Sequence, residues 1–185
     1  ANDATRLRRM KYISPHLTGI SNILEVGCSS GFMLLPLQKL GHRCSGVEPS
    51  KVFSNFVNSR GIDVYNSIDD ISRTNIQYDL ILHFFVLEHI SDPLPFLKRQ
   101  VELLKPGGKI VFEIPNAADP LYSVYNIPAF ERFYWSIAHP WYFSEKSLDF
   151  LLKELGYAYE IFGEQRYDLS NHMVWARDGK PGGMN

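Results

Sequence analysis

The sequence predicts an α/β protein built on a doubly wound, mainly parallel sheet. Short apolar segments typical of strands alternate with longer segments of helical spacing along most of the chain. The segment 78–82 is rich in aliphatic residues, as expected of a strand that is buried on both faces of a parallel sheet. A glycine-containing turn at 27–31 joins the first strand directly to a helix, which is the arrangement of a ligand-binding strand-to-helix loop.

Seven strands are predicted in this sheet. They lie at 23–26, 44–48, 62–65, 78–82, 109–114, 157–162 and 173–176. The last two follow each other without an intervening helix, so we expect them to form a hairpin at one edge of the sheet.

Helices fill the intervals between these strands. They are expected at 3–18, 32–40, 51–59, from Pro93 to about 104, and at 145–155, with Ser50, Asp92 and Ser144 as N-caps and Gly41, Gly61 and Gly156 near their ends. The first helix carries an apolar stripe (Leu7, Met10, Ile13 and Leu17), and its basic residues (Arg6, Arg8, Arg9 and Lys11) are expected to form a solvated face.

Composition limits the function classes. A net charge of −1 over 185 residues argues against a general nucleic-acid binder. The sequence has no apolar run of about 20 residues and no signal-peptide pattern, so we expect a cytoplasmic protein without a membrane span. Cys28 and Cys44 are expected to stay reduced.

One domain is expected over 1–185, since this length suits a single core. Its predicted parts are an N-terminal helix at 3–18, a core at 20–115, an aromatic cover at 116–143, a C-terminal helix and hairpin at 144–177, and a tail at 178–185. The absence of an initiating Met and the breaker-rich end predict a domain taken from a longer protein, with further domains as possible partners.

The turn after the first strand indicates a nucleotide-like cofactor. Gly27 and Gly31 tolerate positive φ, and the following helix offers unpaired backbone N–H groups. Their spacing differs from the Gly-x-Gly-x-x-Gly fingerprint of dinucleotide binding. Glu48 follows Gly27 at the interval where nucleotide folds place an acid against ribose hydroxyls.

Three ordered motifs resemble class I S-adenosylmethionine (SAM) dependent methyltransferases. Glu25 followed by Gly27-Cys28-Ser29-Ser30-Gly31 is similar to their first motif, an acid before Gly-x-Gly-x-Gly, with Ser29 replacing the middle glycine. Leu87-Glu88-His89 resembles the segment after the fourth strand in the branch that includes ubiquinone-pathway enzymes, and 104–108 resembles the Leu-Lys-Pro-Gly-Gly turn before the fifth strand. The resemblance covers roughly residues 20–160.

The resemblance implies a Rossmann-like sheet of strand order 3-2-1-4-5-7-6 with strand 7 antiparallel. It also implies SAM as cofactor, with S-adenosyl-L-homocysteine as product, and in-line methyl transfer, expected as O-methylation of a small-molecule or carbohydrate acceptor. The residues expected to bind the cofactor are Glu25, Gly27, Cys28, Ser29, Gly31, Phe32, Glu48, Pro49, Ser67, Ile68, Asp69, His83, Phe84 and Phe85.

Methyl transfer from a sulfonium depends mainly on alignment, so the protein need not supply a nucleophile or a metal. A hydroxyl acceptor would require a general base, and His89 and His139 are the candidate catalytic residues. No spacing of metal ligands is evident, so no metal is expected. Residues 116–143 hold nine aromatic residues and three prolines, and we expect them to form a mobile cover over the acceptor.

Two other function classes stay open. A nucleotide-dependent oxidoreductase would share the sheet and Glu48 but not the three motifs. A non-catalytic SAM-binding module would keep the cofactor site and lack an acceptor. The segment 166–183 resembles the tail of methyltransferase domains in bacterial carbohydrate-modifying proteins, which hints at a sugar acceptor.

Overall fold

The computed structural model describes residues 3–19, 21–165 and 167–183. Arg166 and the last two residues of the predicted tail therefore lie outside the described part. The chain divides into two compact units. The first comprises Ala1–Leu87 and Pro95–Glu113, and the second comprises Glu88–Leu94 and Ile114–Asn185.

The first unit contains a five-stranded sheet. Its strands are β1 (Asn22–Val26), β2 (Arg43–Val47), β3 (Asp63–Tyr65), β4 (Tyr78–Phe84) and β5 (Leu104–Glu113). They lie in the order β3-β2-β1-β4-β5, and every pair is parallel. This confirms the parallel α/β architecture and brings the carboxyl ends of all five strands to one edge.

Nine α-helices are found in the described residues. They are α1 (Asp3–Ile13), α2 (Leu34–Lys39), α3 (Lys51–Asn58), α4 (Ile68–Ser72), α5 (Pro93–Glu102), α6 (Pro120–Ser123), α7 (Pro128–Tyr134), α8 (Glu145–Lys153) and α9 (Leu169–Asp178). The first helix is shorter than predicted, because a 3₁₀ turn containing Pro15 follows it at Ser14–His16. No described helix has the length and apolarity needed to cross a bilayer.

Both faces of the sheet are covered. Successive residues of β1 point to opposite faces, so Ile23 joins one buried cluster with Met33 and Leu80, while Leu24 joins the other with Ile81. Burial on both faces explains why the strands read as continuous apolar segments. The doubly wound arrangement is therefore present in five strands.

The predicted sixth and seventh strands are wrong, and the described residues contain no antiparallel hairpin. Residues 157–162 form no strand, and 173–176 lie inside α9. Asp168 caps this helix by accepting a hydrogen bond from the Asn171 N–H at 2.8 Å. Trp175 is buried, with its ring 5.1 Å from that of Phe130. The cap and this packing favour a helix over the extended form that the residue types suggest.

The Pro-Gly-Gly turn lies within β5, although it was expected before the strand. Tyr78 pairs with Leu104, and Leu80 pairs with Lys109, so the register shifts between these two pairs. The extra residues bulge out of the ladder, with Gly107 at a φ of 80°.

Candidate functional site

The loop after β1 has the backbone that close approach to a ligand requires. Gly27, Ser29 and Gly31 have φ values of 73°, 47° and 72°, all in the left-handed region. A Cβ on Gly27 would lie 2.6 Å from Cγ2 of Val86, so any other residue there would both displace Val86 and strain the backbone. Ser29 occupies the left-handed region as a non-glycine residue, which costs backbone energy at the position where the motif has glycine.

Glu48 is fixed beside this loop at the end of β2. Its carboxylate accepts hydrogen bonds from the backbone N–H of Ser29 at 2.9 Å and of Ser50 at 2.8 Å. Each of these contacts uses a different carboxylate oxygen, and each oxygen has a second lone pair. The two oxygens can therefore still accept hydrogen bonds from a diol, the role predicted for Glu48.

Glu25 is a buried acid on β1, only 4% exposed. Burial raises the pKa of its carboxyl to about 8, although Arg9 and the backbone N–H of Leu34 act in the opposite direction. Its Oε2 has no hydrogen-bond partner among the described residues. A buried carboxyl with an oxygen that lacks a donor fits a ligand with a cationic amine, such as the amino group of SAM, whose positive charge would favour the ionised form of the carboxyl.

The polar side chains of 67–69 are engaged at the start of α4. The Ser67 hydroxyl accepts a hydrogen bond from the Asp70 N–H, and the Asp70 carboxylate accepts one from the Ser67 backbone N–H, forming a capping box. Asp69 pairs with Arg99 at 3.3 Å on the surface. Ile68 packs against one of the sheet clusters. Their predicted contacts with the cofactor remain untested.

His83 and Phe84 lie in different surroundings at the end of β4. His83 is fully buried, with its ring stacked on Phe112 at 4.6 Å and in a T-shaped contact with Phe96 at 5.8 Å. Burial lowers the pKa of the His83 imidazole to about 3. Phe84 lies under the Arg9 guanidinium at 3.9 Å. The enclosure of His83 supports interior packing, and its cofactor role stays a prediction.

The predicted solvated basic face of α1 is wrong for two arginines. Arg8 and Arg9 pair with the carboxylate of Glu113 at 2.7 and 2.9 Å, and these side chains are at most 19% exposed. Burial lowers the pKa of Arg9, although Glu113 acts in the opposite direction. Arg6 lies over the ring of Phe32 at 5.8 Å. Helix α1 is thereby tied to the end of β5, a contact that local sequence spacing does not show.

The second unit brings the two predicted catalytic histidines together. Their ring centroids are 4.5 Å apart, and the planes meet at 78°. His89 follows Glu88, which is 1% exposed, in a 3₁₀ turn at Leu87–His89. Burial and the charge of a protonated His89 both lower the pKa of His139. The sequence indicates Glu88 only as a motif residue, because its proximity to His139 depends on tertiary structure.

The aromatic segment 116–143 has its own small core. Leu121, Phe130 and Trp175 are buried together, and α6 and α7 supply the first two. The Tyr134 hydroxyl donates a hydrogen bond to the Asn116 carbonyl at 2.7 Å, and Asn116 forms a parallel bridge with Phe143. The segment is therefore more regular than an aperiodic loop, while its role as a cover remains untested.

Comparison with known proteins shows the family of this chain. A family model described as a methyltransferase domain matches residues 5–160. The chain belongs to this methyltransferase family. This methyltransferase domain is 31% identical over 116 residues to a ubiquinone biosynthesis O-methyltransferase of Coxiella burnetii, covering 58% of the chain and 50% of that relative. A ubiquinone biosynthesis O-methyltransferase of Nitrosococcus oceani is 31% identical over 124 residues, covering 62% of the chain and 52% of that relative.

Solved structures show the same fold. A SAM-dependent methyltransferase from Archaeoglobus fulgidus superposes with a TM-score of 0.65 at 19% identity, covering 97% of the chain and 86% of that structure. A SAM-dependent methyltransferase from Thermotoga maritima, described as a possible histamine N-methyltransferase, superposes with a TM-score of 0.60 at 21% identity. The superposition covers 83% of the chain and 72% of that structure. This methyltransferase domain spans about half the length of the curated relatives that it matches.

Proposed function

We propose that this domain transfers the methyl group of SAM to a hydroxyl oxygen of a small-molecule acceptor. The observation that carries the proposal is the carboxylate of Glu48, held by the backbone of Ser29 and Ser50 beside a loop of left-handed residues. This is the position at which nucleotide folds hold a ribose. The ubiquinone-pathway relatives, which are O-methyltransferases by name, support oxygen as the methylated atom.

When bound, SAM supplies an activated methyl group for in-line displacement. Around it, the Gly27–Gly31 backbone would let the cofactor approach closely, Glu48 would accept from its ribose hydroxyls, and Glu25 would accept from its amino group. The remaining predicted contacts are proposed with these: Cys28, Phe32, Pro49, Ser67, Ile68, Asp69, His83, Phe84 and Phe85. Such positioning can supply roughly 7–11 kcal/mol of the rate enhancement.

His89 and His139 are the proposed acceptors of the proton that leaves the hydroxyl. Each imidazole hydrogen-bonds through Nδ1, to the Ala138 carbonyl and the Tyr142 hydroxyl respectively, so Nε2 remains for a proton. A carbohydrate acceptor remains the second candidate, supported by the resemblance of 166–183 to the tails of sugar-modifying proteins.

Calorimetry with SAM, S-adenosylhomocysteine and NAD, followed by transfer of labelled methyl groups to catechols, phenols and free sugars, tests the proposal. We expect both SAM species to bind, NAD not to bind, and a hydroxylated aromatic acceptor to become O-methylated. Binding of NAD instead of SAM would indicate an oxidoreductase. Binding of SAM without transfer to any acceptor would indicate a non-catalytic module.

A further inference from the structure

Three metal-ligating side chains converge in the second unit. One donor atom each of Glu88, His89 and His139 lies within 4.8 Å of the donor atoms of the other two. Zinc sites place nitrogen and oxygen ligands about 2.0–2.2 Å from the metal, which leaves the ligand atoms roughly 3–4 Å apart. Small side-chain rotations would therefore close these three groups around one cation.

The tautomer of His89 is set by the backbone. Its Nδ1 lies 2.9 Å from the carbonyl oxygen of Ala138. A carbonyl oxygen only accepts hydrogen bonds, so Nδ1 must carry the proton and donate it. In the neutral ring Nε2 then holds an unprotonated lone pair, which is the form that binds a metal.

The tautomer of His139 is set by Tyr142. The Tyr142 hydroxyl donates its only proton to the Tyr134 carbonyl at 2.7 Å, so it can only accept from the Nδ1 of His139 at 2.9 Å. His139 therefore also carries its proton on Nδ1 and leaves Nε2 for a ligand role. A metal-bound histidine usually has this kind of hydrogen bond at its other ring nitrogen, because the bond fixes the orientation of the ring.

The third group, Glu88, supplies oxygen donors from a buried side chain. Glu88 is 1% exposed, while His89 is exposed and His139 half-buried, so one side of the cluster faces solvent. Trp141 joins the segment that contains His139 to the segment that contains Glu88 and His89. Its indole N–H donates a hydrogen bond to the Ser91 carbonyl at 3.0 Å, and its backbone N–H donates to the Glu88 carbonyl at 3.4 Å. The cluster thus combines two neutral nitrogens and one carboxylate with an open side.

We propose that Glu88, His89 and His139 bind one divalent first-row transition-metal cation, with Zn²⁺ as the reference ion, and leave open coordination positions for oxygen ligands. Two histidines and one carboxylate are a known ligand set for such cations, whereas Mg²⁺ favours oxygen ligands. The proposal goes beyond the proposed function and does not rest on it. The proton-acceptor role proposed above for His89 and His139 belongs to the metal-free form, because a bound cation occupies both Nε2 lone pairs.

Zn²⁺ binding to the whole chain, measured by competition with a chromophoric chelator, is the first test. We expect one Zn²⁺ per chain, and we expect Glu88→Gln, His89→Ala and His139→Ala each to weaken binding by at least tenfold. His172→Ala removes a half-buried histidine of α9 in the same unit and is the matched control, with unchanged affinity. Tyr142→Phe removes the group that orients His139 and should weaken Zn²⁺ binding about 10-fold or more.

Two measurements on the unmodified chain keep the test independent of variant folding. Zn²⁺ should shift the ¹⁵N resonances of Nε2 in His89 and His139 and leave those of His172 unchanged. Co²⁺ in the site should give visible absorption bands that move when acetohydroxamate, a bidentate oxygen ligand, is added.

The proposal is overturned if Zn²⁺ does not bind, if the three site variants bind it like the unmodified chain, or if equimolar Mg²⁺ displaces it. Co²⁺ absorption bands that do not move when acetohydroxamate is added would overturn the proposal that the cation keeps open coordination positions. None of these readouts uses SAM or an acceptor. A chain that binds Zn²⁺ but transfers no methyl group would refute the proposed function and leave the metal site standing.

Discussion

The carboxylate of Glu48 accepts a hydrogen bond from the backbone N–H of Ser29 at 2.9 Å. This contact joins the end of β2 to the loop that follows β1. It fixes an acid at the carboxyl edge of the sheet, where parallel α/β folds bind their ligands. The first prediction concerns this residue.

Glu48→Ala is expected to weaken SAM binding by about 10- to 150-fold, because hydrogen bonds to a charged group contribute about 1.5–3 kcal/mol. Calorimetry with SAM measures the affinity. Asp63→Ala removes an exposed carboxylate at the opposite end of the neighbouring strand and should leave the affinity unchanged. Equal affinities of the Glu48 and Asp63 variants would show that Glu48 does not contact the cofactor.

Stability should depend on pH through Glu25. The pKa of Glu25 is about 8 in the folded chain, against an ordinary value of 4.5. Between these values the folded state keeps a proton that the unfolded state releases. The free energy of unfolding therefore falls as pH rises, by up to about 1.4 kcal/mol per pH unit for this group.

Glu25→Gln should remove that contribution. Urea unfolding between pH 5 and pH 8 is expected to show the variant gaining stability relative to the unmodified chain as pH rises. Comparing the two chains cancels the contributions of other titrating groups. Glu160→Gln, at an exposed carboxylate, should show no such trend. A constant difference between the Glu25 variant and the unmodified chain would contradict the raised pKa.

Glu113→Gln should cost about 1–3 kcal/mol of unfolding free energy. It removes the charged partner of Arg8 and Arg9, whose side chains are only 18% and 12% exposed, so two guanidinium groups would lose their ion pair away from bulk water. Glu102→Gln is the matched control, since its partner Arg99 is 51% exposed and such surface pairs contribute about 0–1 kcal/mol. Equal losses in the two variants, measured by urea unfolding, would contradict burial as the cause.

The aromatic segment 116–143 is expected to be a mobile cover. Amide exchange in the absence of ligand should then be faster over 116–135 than in β5, and it should slow when S-adenosylhomocysteine and an acceptor are added. The small core around Phe130 would itself protect amides of this segment if the segment were static, so the exchange rates distinguish the two arrangements. Protection equal to that of β5 and unchanged by ligand would identify a static layer.

Gly31→Val is expected to affect both the fold and the cofactor site. Gly31→Val would place a β-branched residue at a φ of 72°, and a Cβ there would lie 3.1 Å from Cγ2 of Val57. The substitution is therefore expected to destabilise the fold as well as to fill the space that we expect the cofactor to use. A thermal melt without ligand separates the two effects.

The sequence alone predicted the parts of the fold that local patterns encode. The five parallel strands follow from short apolar segments between helices, and the loop after β1 follows from glycines that the left-handed backbone requires. The proximity of Glu48 to that loop was also predictable, because neighbouring parallel strands end at the same edge. Each of these features depends on residues close in sequence or on a simple rule of topology.

Tertiary structure decided the features that local pattern could not. Met173-Val174-Trp175-Ala176 favours a strand by residue type, yet the Asp168 cap and the burial of Trp175 make it part of a helix. Arg8 and Arg9 find Glu113, and His89 finds His139, only through the path of the chain. Ion pairs and ligand clusters form between groups far apart in sequence, so their energies depend on distances and burial that no local spacing records.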